Sequence, residues 1–136
     1  MLRDFDIQYQ PLEYEVLAPD GSEIRSVFSM QHGSVCHCRL PVSCVSRAHH
    51  HQNVDEFWYV VKGIGQVWRK LGDSEIIVDV FPGKYLNIPV SAHFQFKNTG
   101  SEPLEIVIFT MPPWPGPAEA VPVDGPWDPS DEDKLK

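Results

Sequence analysis

From Glu23 to Thr110 the chain alternates short runs of strand character with turns. The runs are Glu23–Phe28, Ser34–Leu40, Glu56–Val61, Gly65–Leu71, Glu75–Val80, Tyr85–Ile88, His93–Lys97 and Leu104–Thr110. Between them stand Pro41-Val42-Ser43, Lys62-Gly63-Ile64, Gly72-Asp73-Ser74, Phe81-Pro82-Gly83 and Asn98-Thr99-Gly100. Each separator carries Gly, Pro, Asn, Asp or Ser, the residues that supply turn geometry. Apolar positions do not recur near a period of 3.6, so no helix is expected. Many short strands at near-regular spacing predict an all-β sandwich or barrel. Closure into a barrel or jelly roll removes the exposed edges that so many strands would otherwise leave.

The end of the chain follows other rules. From Pro112 to Pro129, "PPWPGPAEAVPVDGPWDP" is too rich in proline for a helix or a central strand. Trp114 and Trp127 within it are large apolar anchors. Residues 1–111 are therefore expected to form the barrel, and 112–136 an extended Pro/Trp-rich arm laid over the barrel or over a partner subunit. The acidic end is expected to fray.

Composition excludes several partners. With 136 residues, the chain is long enough for one domain with its own core. A net charge of -8 disfavours nucleic acid and anionic membrane surfaces. No stretch is apolar enough to span a membrane, and the acids in Met-Leu-Arg-Asp-Phe-Asp interrupt what would be a signal peptide's apolar region, so a cytoplasmic location is expected. Cys36, Cys38 and Cys44 read as free thiols. Cys36-His37-Cys38 lacks the usual spacing of a zinc clip, and on a strand Cys36, Cys38 and Leu40 share one apolar face.

His49-His50-His51 is the candidate site. On a strand His49 and His51 share a face and His50 takes the other, so two imidazoles can bind one cation. Glu56 opens the next strand and can add a carboxylate, with Asp55 as its rival, and His50 competes with its neighbours. His93 is a later histidine on a strand of its own. Three imidazoles and one carboxylate suit Zn, Fe, Mn, Ni or Cu with positions left open.

This arrangement resembles the cupin superfamily. The first cupin motif, G-x5-H-x-H-x3-4-E-x6-G, is similar to His49-x-His51, four residues, Glu56, six residues, Gly63. The second, G-x5-P-x-G-x2-H-x3-N, is similar to Gly83, five residues, Pro89, then His93 and Asn98. Ser43 and Ser91 stand where the motifs carry glycine, and His93 follows Pro89 one residue early. A shorter turn at Val90-Ser91-Ala92, or a bulge after His93, is expected to bring that imidazole back to the site. The resemblance implies a single-domain cupin jelly roll, a double-stranded β-helix, holding one divalent metal on His49, His51, Glu56 and His93.

Strand parity fills in the surroundings. Trp58 is expected to wall the pocket, with Phe57 and Tyr59 outside. Gln95, Gln66 and Trp68 are expected beside the ligand, Arg47 near the mouth, and Arg69 in solvent. The function implied is a metal-dependent enzyme acting on a small polar metabolite. Its chemistry would be Lewis-acid isomerase or lyase chemistry, or that of a non-haem iron dioxygenase. The alternatives are a non-catalytic cupin binding a sugar-like molecule, and a dimeric assembly module with exchanged arms. A homodimer is expected in each case.

Overall fold

The structure is a computed structural model that describes residues 5–130. Each of the eight expected runs forms a strand, with ends differing by a residue or so. The chain order is β1 (Val16–Leu17), β2 (Glu23–Ser29), β3 (Ser34–Leu40), β4 (His49–His51), β5 (Asp55–Lys62), β6 (Gly65–Leu71), β7 (Ser74–Val80), β8 (Tyr85–Ile88), β9 (His93–Asn98), β10 (Leu104–Met111) and β11 (Ala120–Pro122). The described helical content is one 3-10 turn at Pro117–Glu119.

Two antiparallel sheets share the strands, in the orders β1-β2-β3-β10-β5-β8 and β11-β4-β9-β6-β7. Successive strands cross repeatedly from one sheet to the other, which makes a jelly-roll barrel. Its inner faces follow the period of two. Along β5, Glu56, Trp58 and Val60 are buried, while Asp55 and Phe57 are exposed. Leu40, Val60, Val67, Phe96, Leu104 and Ile106 have no exposed surface and fill the closed part of the barrel. Gly63 takes φ 85 in the turn between β5 and β6, and a Cβ there would strike the Pro103 carbonyl. Only glycine meets both demands without strain.

The arm returns to its own barrel. β11 pairs with β4, placing Val121 opposite His50. Glu119 accepts hydrogen bonds from Asn53 N, Asn53 Nδ2 and Val54 N, at 2.5, 2.9 and 3.0 Å. Trp127 lies over the Lys97 ammonium, 4.4 Å from ring centre to Nζ. Val45 and Ser130 exchange two bonds, Ser130 N to Val45 O at 3.0 Å and Val45 N to Ser130 Oγ at 2.8 Å. All of these anchors are met within one chain. The acidic end expected to fray lies, from residue 131 onward, outside the described residues.

Candidate functional site in the barrel cavity

A cavity of about 530 Å3 opens into the barrel between the two sheets. β4 supplies His49 and His51, β5 supplies Glu56 and Trp58, β9 supplies Phe94, and β10 supplies Thr110. His49, His51 and Glu56 are buried and line the same cavity, the two histidines from the five-stranded sheet and Glu56 from the six-stranded one. The walls are otherwise largely apolar, and among the described residues no Lys or Arg lines the cavity.

Glu56 is held from two sides. Trp58 Nε1 donates to one carboxyl oxygen at 2.9 Å, and Thr110 Oγ1 donates to the other at 3.0 Å. Burial pushes the Glu56 carboxyl up to about 7 despite these bonds. Burial lowers the His51 imidazole to about 4, so it is neutral at ordinary pH. Its Nδ1 is buried without a partner. Burial also lowers His49, against the attraction of Asp20. Asp20 is itself raised by burial, although Ser22 N and Oγ both donate to it, at 2.9 and 2.6 Å. Burial holds the Cys36 thiol up near 12, so Cys36 enters the wall as a small apolar group, as expected.

His93 is not at this wall. β4 and β9 pair with His49 opposite Phe94, so Phe94 points inward and His93 outward. The Phe94 ring meets His51 edge-on, with centres 5.1 Å apart. His93 stacks on His50 instead, at 5.4 Å and 16°. The expected shortening of the turn does not occur. Ser91 takes φ 71 and Ser43 takes φ 64, so both serines adopt the left-handed backbone that their motifs assign to glycine. Asn98 is buried at the far end of β9, donating to Leu40 O and Glu102 O at 3.0 and 2.9 Å. With both ends of the segment in place, the histidine that is one residue early faces away.

The same register corrects the outer wall. Gln95 shares the outward face with His93 and secures the arm. Its Nε2 donates to Ser46 O and Trp127 O, at 2.9 and 2.7 Å, and its Oε1 accepts from Trp127 N at 3.2 Å. Trp68 lies opposite Gln95 and donates to Glu75 at 2.7 Å. Gln66 bonds Asp79 at 3.1 Å. Arg47 donates to Pro19 O at 3.2 Å and is not among the cavity residues. Arg69 is partly buried, not in free solvent, and bonds Asn87 O and Oδ1, both at 2.9 Å. Of the five expected pocket residues, Trp58 alone lines the cavity. Sequence reasoning missed Asp20, Phe94, Thr110 and Trp114. Asp20 stands in the stretch Pro19-Asp20-Gly21, a turn signal, and no local signal pairs Thr110 with Glu56 across two strands.

The cupin domain family model matches residues 36–110, the stretch that carries this cavity wall. The chain belongs to the cupin family. No curated protein matches this cupin in sequence. Solved structures do match in fold. BH2720 from Bacillus halodurans is 22% identical with a TM-score of 0.63, over 75% of this chain and 76% of that one. An RmlC-like cupin family protein from Methanocaldococcus jannaschii is 15% identical with a TM-score of 0.62, over 81% and 93%. KdgF from Halomonas is 18% identical with a TM-score of 0.60, over 72% and 84%.

Cupins commonly hold a metal on three imidazoles and a carboxylate. The residues of this cavity do not fit that centre. Phe94 occupies the inward position opposite His49, and both Glu56 oxygens already accept hydrogen bonds. Among the described residues, no group of three or more His, Cys, Asp or Glu side chains is placed to hold a metal ion.

Proposed function

We propose that this cupin binds a small, mostly apolar organic molecule that is uncharged or positively charged, with its polar end against His49, His51 and Glu56. One observation carries the reading: among the described residues, the cavity lining holds two carboxyl groups, Asp20 and Glu56, with apolar and aromatic side chains and no Lys or Arg. An anion entering it would lose its water and meet no countercharge. An alcohol or amine can donate a hydrogen bond to the carboxyl or imidazole groups, while its apolar body gains about 25 cal/mol per Å2 buried.

A matched series tests this directly. Phenethylamine, 2-phenylethanol and phenylacetate share a shape and differ in charge. Trp58 and Trp114 line the cavity, so their fluorescence reports occupancy. The amine or the alcohol is expected to perturb the emission and raise the melting temperature, and phenylacetate to do neither. Preferential binding of phenylacetate would overturn the reading.

A second reading, catalysis by proton transfer, is favoured by the placement of Glu56 and His51 in the lining of one cavity. There Glu56 can exchange a proton near neutral pH in a cavity that also presents a neutral imidazole. The metal-dependent enzyme implied by the sequence motifs would use His49, His51 and Glu56. Metal analysis of protein purified without chelator separates it from the organic-ligand reading: stoichiometric metal favours the former, and metal-free protein the latter. The homodimer is kept as part of the proposal, supported by exposed Phe57, Tyr85 and Phe109 on the outer face of β5, β8 and β10. Sedimentation of a monomer at high concentration would remove it.

A further inference from the structure

β4 and β9 run antiparallel, and directly opposed residues on such a pair hold their Cβ atoms about 4.5–5.5 Å apart on one face. Position 94 is therefore the closest cross-strand neighbour of His49. Its ring also meets His51, and it meets Trp58 edge-on with centres 5.6 Å apart. Phe94 is 2% exposed, so it fills this corner of the cavity. The backbone that puts it there is fixed at both ends, by left-handed Ser91 and by buried Asn98.

An imidazole at position 94 would stand beside both His49 and His51, and three imidazole nitrogens are a set that suits a divalent transition metal. Phenylalanine supplies no lone pair, and its ring edge carries partial positive charge that disfavours a cation. We propose that position 94 decides which kind of site this barrel holds: phenylalanine keeps the cavity free of metal and open to an organic ligand, and a ligating side chain converts it into a metal centre. The first half rests on the organic-ligand reading of the cavity, and the second stands on the strand geometry alone.

The test is equilibrium binding of Co2+, followed by its visible absorption, to the wild type, Phe94→His, Phe94→Cys and Phe94→Leu. Phe94→His or Phe94→Cys is expected to bind one ion per chain roughly 100-fold tighter than the wild type, with the absorption of protein-coordinated cobalt. Phe94→Leu should remain at the wild-type level, and adding His49→Ala to Phe94→His should abolish the gain. Wild type binding one ion as tightly as Phe94→His would overturn the proposal. So would a folded Phe94→His and a folded Phe94→Cys that gain no affinity. Two ligating variants keep the test open if one fails to fold, as judged by circular dichroism. Failure of the phenethyl series to bind wild type would count against the organic-ligand reading while leaving the cobalt comparison intact.

Discussion

The inner and outer faces of the β4–β9 pair carry similar residues one position apart, and their chemistry diverges completely. Inside, His49 and His51 are buried against Phe94, beside a carboxyl group and a cavity. Outside, His50 stacks on His93, and Gln95 is covered by the arm that Trp127 anchors. The inner face has apolar walls and room for a guest. On the outer face the chain's own arm covers the polar groups, so it works as a clasp. Which residue belongs to which role is set by register alone, since one step along a strand changes the face.

The largest effect expected of breaking this comparison is at Phe94. Phe94→Ala should cost about 3–5 kcal/mol, because it removes a buried ring and leaves a void between Trp58 and His51. A urea unfolding midpoint measures it, and a near-neutral result would mean that Phe94 does not face inward. Next comes Gln95→Ala, which leaves the Ser46 and Trp127 backbone groups without their partner. A loss of about 3 kcal/mol is expected, with the arm becoming open to proteolysis. An arm that stays protected would show that Gln95 is not its fastening.

A smaller effect belongs to Glu119, which ties the arm to the turn after β4. Burial would raise its carboxyl, but the bonds from Asn53 and Val54 outweigh that and hold it below its ordinary value of 4.5. Since the folded state has the lower value, the stabilisation is complete above the unfolded value and is lost as pH falls through the folded one. Glu119→Gln should cost about 1–2 kcal/mol at neutral pH, and the difference from wild type should shrink in acid. Parallel stability curves for the two proteins across that range would contradict the role. The smallest effect is at His93. His93→Ala should change stability by less than about 0.5 kcal/mol and leave phenethyl-ligand binding unchanged. A loss of binding there would place His93 at the site after all.

The strand plan was legible because each turn announces itself in Gly, Pro, Asn, Asp or Ser, and because Trp58 and Val60 alternate with Phe57 and Tyr59. Parity likewise puts His49 and His51 on one face of β4, and both are buried there. β11 was hidden by its prolines, which an edge strand tolerates when its partner lies on one side only. The error at His93 came from a backbone torsion. Nothing in the letters shows that Ser91 accepts φ 71, and on that angle depends whether His93 or Phe94 faces the cavity. Parity from His93 points Gln95 inward, and the register that turns His93 out turns Gln95 out with it. Asp20 sits far from β4 in sequence, so its attraction for His49 has no local signal.

The most direct test of the central claim, that the His49–His51 face is the site and the His50–His93 face is not, is a long-range 1H–15N spectrum of the imidazoles with and without 2-phenylethanol. The account predicts shifted ring nitrogens for His49 and His51, and unchanged ones for His50 and His93. Shifts confined to His50 and His93 would contradict it.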